Sequence, residues 1–86
     1  MTELLHITPG TRDLAPGAPL RIDPSSDQLV RVTDGVLYVR LEEHDVVLLP
    51  GDSLTVPAGE SRRAWNAGDE AARVVVSAAL RLTRAA

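Results

Sequence analysis

Two histidines, one tyrosine and one tryptophan stand among nine arginines in this chain, which has no cysteine and no lysine. Thiolate nucleophiles, sulfur-ligated zinc, iron–sulfur clusters and lysine Schiff bases are therefore excluded. His6 and His44, the candidates for proton transfer near neutral pH, fall in separate segments with no metal-ligand spacing. His44 belongs to Glu42-Glu43-His44-Asp45, which reads as the solvated tip of a hairpin between Leu41 and Val46 rather than as a cation site. His6 alternates with Leu5 and Ile7, which turns it toward solvent or a subunit interface. Tyr38 offers two roles: a general acid or ligand contact inside the fold, or a packed ring whose hydroxyl is satisfied locally.

The elements that must position these residues are strands. Twelve leucines, ten valines and two isoleucines supply nearly all the apolar mass, and the β-branched residues cluster in short runs. Glycines punctuate those runs at Pro9-Gly10, Pro16-Gly17, Asp34-Gly35, Pro50-Gly51, Ala58-Gly59 and Ala67-Gly68. The segments between them are Leu4–Ile7, Pro19–Ile22, Gln28–Thr33, Val36–Leu41, Val46–Leu49, Ser53–Val56, Arg62–Asn66 and Arg73–Thr83. This spacing predicts an all-β sandwich or barrel. In Gln28–Thr33, alternation puts Gln28, Val30 and Val32 on one face and Leu29, Arg31 and Thr33 on the other. Asp69–Ala79 begins with acidic residues and carries several alanines, as a helix would, but Val74-Val75-Val76 at its centre favours a strand. The loosest parts are expected at Thr8–Pro19 and in the last residues, Arg84-Ala85-Ala86.

Eighty-six residues make one small domain, 1–86, with its core at about 18–82. No apolar run approaches the roughly 20 residues of a membrane span. The net charge of -3, with only two arginines in the Arg81–Arg84 tail, argues against a nucleic-acid partner. Met1-Thr2-Glu3-Leu4-Leu5-His6 has no leader-like pattern, and the expected location is cytoplasmic.

From Gly51 to Asn66 the chain reads Gly, five residues, Pro57-Ala58-Gly59, two residues, Arg62, three residues, Asn66. This resembles the second conserved motif of the cupin superfamily, with Arg62 where the family places a metal-binding histidine. The first cupin motif, counted back from Gly35, puts its glutamate at Gln28 and its histidine pair at Arg21 and Asp23, or one residue later at Ile22 and Pro24. The resemblance is to small, metal-less cupin-like proteins and implies a jelly-roll β-sandwich, commonly dimeric.

What departs from the motif carries the functional expectation. The family centre holds a transition metal with about three imidazoles and a carboxylate. A guanidinium has no lone pair to offer and repels a divalent cation, so no metal and no other cofactor is expected. Alternation from the motif turns Arg62, Ala64 and Asn66 inward, and Arg63 and Trp65 outward. An inward arginine needs an anionic partner, either a ligand carboxylate or phosphate or an internal acid such as Asp23; otherwise it snorkels to the barrel mouth. The candidate ligand set is Arg62, Gln28, Arg21, Tyr38 and Asn66. Trp65 is expected in an apolar patch with residues such as Leu29, as a dimer interface or a ligand platform. The function expected is binding of a small anionic molecule, or a homodimeric interaction module. The alternative is a metal-independent isomerase, epimerase or cyclase using the barrel pocket.

Overall fold

Strand alternation becomes an inside and an outside because every strand lies in one of two facing sheets. A computed structural model describes residues 10–59 and 63–79 as eight strands: β1 Gly10–Leu14, β2 Pro19–Leu20, β3 Gln28–Asp34, β4 Leu37–Arg40, β5 Asp45–Leu48, β6 Ser53–Val56, β7 Arg63–Asn66 and β8 Ala72–Ala78. One sheet runs β1-β8-β3-β6 and the other β2-β7-β4-β5, with antiparallel pairing throughout. Apart from the β4–β5 hairpin, each connection passes from one sheet to the other. That crossing pattern is a jelly-roll sandwich, the class the sequence predicts.

Inward positions fill the space between the sheets. Val30 and Val32 of β3, Leu37 and Val39 of β4, Val56 of β6 and Val74 of β8 are fully buried, joined by Leu14, Leu20, Leu41, Leu48, Ala64, Ala72 and Val76. The Gln28, Val30, Val32 face is the buried one, as alternation requires. Aliphatic packing of this kind holds a thin sandwich together by removing apolar area from water, at about 25 cal/mol per Å2. Among the described residues these side chains form one buried cluster between the sheets.

Val74-Val75-Val76 lies in β8, confirming strand over helix. The prediction of a loose Thr8–Pro19 stretch is corrected for Gly10–Leu14, which pairs in register with Val76–Ala72, while Thr8 and Pro9 lie outside the described residues. As an edge strand that buries only Leu14, it has no apolar alternation to read, and its order comes from ladder hydrogen bonds. Leu4–Ile7 and the segment beyond Ala79 lie outside the described residues.

At one place the ladder breaks. Val32 pairs with Val74 but Asp34 pairs with Arg73, so Thr33 is an extra residue, and its hydroxyl donates to the Arg73 carbonyl at 3.2 Å. The bulge delivers the chain to Gly35, whose φ of 86° and close approach to the Ala72 backbone exclude a side chain. Through this turn the chain leaves one sheet and enters the other.

Candidate functional site

The motif turn braces the loop that leads into β3. Pro57-Ala58-Gly59 is fastened to the facing loop, where Gly59 N donates to the Pro24 carbonyl at 3.0 Å and Ala58 N to Asp27 Oδ1 at 2.8 Å. Asp23 Oδ1 accepts from Ser25 N and Ser25 Oγ at 2.9 and 2.7 Å, which fixes the loop's first turn. Between this loop and β1 opens a cavity of about 530 Å3 lined by Arg12, Arg21, Ile22, Asp23, Pro24, Gln28 and Val76. The positions that the first cupin motif assigns to metal ligands, Gln28 with either Arg21 and Asp23 or Ile22 and Pro24, therefore all converge on one mouth.

Gln28 is buried at the floor of this cavity, and its Nε2 donates to Ser26 Oγ at 2.9 Å. Arg12 joins from β1. Sequence reasoning missed it because the strand that carries it was not legible; the register Arg12 to Val74 places it beside the mouth. Arg62 lies outside the described residues.

Asn66 is fully buried on the inward face of β7 together with Ala64, as the alternation predicts. Its Nδ2 donates to the Leu14 carbonyl at 3.0 Å and the Glu70 carbonyl at 2.7 Å, and its Oδ1 accepts from Gly68 N at 2.9 Å. Both amide protons are thus taken up by backbone carbonyls, and Asn66 does not line the mouth cavity.

Tyr38 stands on the outer face of β4. It is directly opposite Trp65 of β7, with ring centroids 4.8 Å apart and planes at 26°. Its hydroxyl donates to Asp45 Oδ2. That bond, made to a carboxylate from the protonated phenol, is the main cause that raises the Tyr38 pKa above its ordinary value; partial burial adds to it and Arg40 opposes it. The neighbours of Trp65 also correct an expectation. Leu29 belongs to the other sheet, and the row across this face runs Pro19, Trp65, Tyr38, Val47.

The donor set at the mouth does not fit the family's metal. Among the described residues it offers one carboxylate and one amide against two guanidinium groups, and no cluster of three or more His, Cys, Asp or Glu exists among them. His44 is exposed in the β4–β5 hairpin, where Leu41 N donates to its carbonyl at 2.9 Å, and His6 lies outside the described residues. No helix of the described residues is long and apolar enough to cross a membrane.

Fold, crossing pattern and motif turn together define a jelly-roll β-sandwich of the cupin type. The chain belongs to the Cupin domain family, whose model matches residues 4–78. The structure is similar to that of TT1209 from Thermus thermophilus, at 28% identity and TM-score 0.69 over 79% of this chain and 68% of that one. It is also similar to a sugar phosphate isomerase of the cupin superfamily from Silicibacter pomeroyi, at 28% identity and TM-score 0.66, with 81% of this chain and 48% of that one covered. This chain thus spans about half the length of that isomerase. Drosophila melanogaster CENP-C bound to CAL1 shares the fold, at 20% identity and TM-score 0.74 over 92% and 69% of the two chains. No curated protein matches the sequence.

Proposed function

We propose that this cupin domain binds a small anionic molecule at the mouth of its barrel without a metal centre. Arg12, Arg21 and the amide of Gln28 are the contacting groups. The observation that carries the reading is the convergence of two guanidinium groups and one buried amide on a single cavity of about 530 Å3. Guanidinium forks match the oxygens of a carboxylate or phosphate, and Gln28 adds an oriented amide. The motif spacing adds Arg62, which lies outside the described residues, to the proposed ligand set. Leu and Val make up most of the buried side chains between the sheets, which favours a ligand held at the rim. The similar protein from Silicibacter pomeroyi is named a sugar phosphate isomerase, which supports an anionic class of ligand.

The enzyme alternative is weaker on the same geometry. A metal-independent isomerase, epimerase or cyclase needs a paired acid and base in the cavity. Asp23, the described carboxylate there, is held by Ser25.

Thermal unfolding with inorganic phosphate, oxalate and succinate tests the binding reading. A ligand that binds only the folded chain stabilises it by about 2.7 kcal/mol at a hundredfold excess over Kd. A saturable rise in Tm that is lost in Arg12→Gln and in Gln28→Leu is expected. No shift with any of the three anions, or a shift that survives both substitutions, refutes it.

A second reading, homodimerisation, has its own observation: Val47 and Leu49, at the edge strand β5, are 50% and 49% exposed. Paired across two copies they would bury apolar area that one copy leaves wet. Sedimentation that stays monomeric into the micromolar range removes this reading.

A further inference from the structure

A second arginine cluster, which shares Arg21 with the mouth, lies on the outer face of the β2-β7-β4-β5 sheet. A groove of about 800 Å3 is lined there by Arg21, Arg40 and Arg63, with Pro19 and Trp65 as its apolar wall. Its volume falls within the range of small-molecule sites, roughly 300–1,000 Å3. The register sets Arg40 directly opposite Arg63, and like charges in directly opposed positions destabilise a sheet. Arg40 is partly compensated, with its Nε 3.6 Å from Asp45 Oδ1 and its guanidinium 5.8 Å from the Trp65 ring centre. Among the described residues, the ion pairs are Arg40 with Asp45 and Arg73 with Asp13, so neither Arg21 nor Arg63 has an acidic partner there. In a chain of net charge -3, this is a concentrated positive field beside an aromatic wall.

We infer that this outer groove is a binding site for a small organic phosphate, its phosphoryl group held by Arg63, Arg40 and Arg21 and its apolar body laid against Trp65 and Pro19. A dianionic phosphoryl group with three acceptor oxygens meets three guanidinium groups better than a single carboxylate does. It also gives Arg63 the anionic partner that the ion pairs among the described residues do not supply. Trp65 stacks on Tyr38 and also lines the groove.

The tryptophan is the chain's only one, so its emission reports on this groove directly. The probe is phenyl phosphate, with phenol as the uncharged comparison and benzoate as the carboxylate. Saturable change in Trp65 emission with phenyl phosphate is expected, with none from phenol and weaker binding of benzoate. Arg63→Gln and Arg40→Gln, both at exposed positions, are each expected to weaken binding about tenfold or more, the loss of a charge-assisted hydrogen bond. Arg12→Gln, at the mouth, leaves this binding unchanged. Circular dichroism and a thermal melt confirm that the variants fold.

Three results overturn the inference. One is no saturable signal from phenyl phosphate. Another is binding that disappears in Arg12→Gln but not in Arg63→Gln, which assigns the anion to the mouth and leaves the mouth reading intact. The last is Trp65 emission that changes with protein concentration alone as sedimentation shows a dimer, which means that a second copy covers the groove.

Discussion

The buried amide of Asn66 donates to the carbonyl of Leu14, 52 residues earlier in the chain, at 3.0 Å. The same Nδ2 reaches the Glu70 carbonyl, and Oδ1 holds Gly68 N, so one side chain ties the end of β1 to β7 and to the turn before β8. Asn66→Ala leaves three backbone polar groups without this partner. It is expected to destabilise the domain by about 2–4 kcal/mol, as burying unsatisfied polar groups does. Asn66→Asp keeps the acceptor for Gly68 but faces two carbonyls with a carboxylate, and is expected to cost at least as much. Urea unfolding measures both; a loss below about 0.5 kcal/mol, the size of a neutral surface change, rejects this role.

Gly35 makes a sharper steric statement. A Cβ there lies 2.7 Å from Ala72 Cα and 2.8 Å from Ala72 Cβ, and the φ of 86° is one that L-residues avoid. Backbone strain of about 1–2 kcal/mol and overpacking of about 1–3 kcal/mol act together in Gly35→Ala. A drop in unfolding free energy of roughly 2–5 kcal/mol follows from those two causes. Gly51→Ala is the comparison, because its φ of 95° carries the strain while nothing lies within 4 Å of the added carbon. If both variants lose the same stability, the close approach to Ala72 is not what makes Gly35 necessary.

The raised pKa of Tyr38 gives a pH dependence with a definite sign. The folded chain holds the phenol proton more tightly than the unfolded chain, mainly because Asp45 accepts its hydrogen bond. Stability from this bond is therefore fully present below the ordinary tyrosine pKa of 10.0 and is lost as pH rises through the folded value above it. Absorbance titration of the chain's single tyrosine is expected to show a midpoint above 10.0, moving down in Asp45→Asn. A midpoint at or below the ordinary value means that the hydroxyl is not bonded to Asp45 in solution.

The fold was legible where burial is one-sided and repeated. Gln28–Thr33 reads as a strand because Val30 and Val32 face the core while Arg31 and Thr33 face water. Ser53–Val56 was bounded correctly by the motif glycines and proline around it. Gly10–Leu14 was illegible because an edge strand that buries one side chain imposes no pattern on its sequence. The same gap hid Arg12. Spacing brought Arg21, Asp23 and Gln28 to one mouth, but strand alternation alone cannot say which sheet a residue shares with another. For that reason alternation suggests Leu29 as a neighbour of Trp65, whereas Tyr38 and Pro19 flank it across β4 and β2. The outer arginine groove depends wholly on such cross-strand register.

Metal content divides cupin chemistry, and the mouth's composition sets an expectation for it. Arg21 and Gln28 stand at family ligand positions, and Arg12 enters the same cavity. Guanidinium groups offer no lone pair and raise the local potential against any divalent cation. Untagged protein purified without chelator and offered Fe(II), Mn(II), Ni(II) and Zn(II) is therefore expected to carry far less than one metal per chain by elemental analysis. A variant that restores the family donors, Arg21→His with Asp23→His, Gln28→Glu and Arg62→His, separates a missing donor set from an unsuitable scaffold. If that variant takes up near-stoichiometric metal while the parent chain does not, the four side chains alone set the absence. If the parent chain itself binds near-stoichiometric metal, either the motif register is wrong or its ligands come from outside the mouth, and the metal-free reading fails.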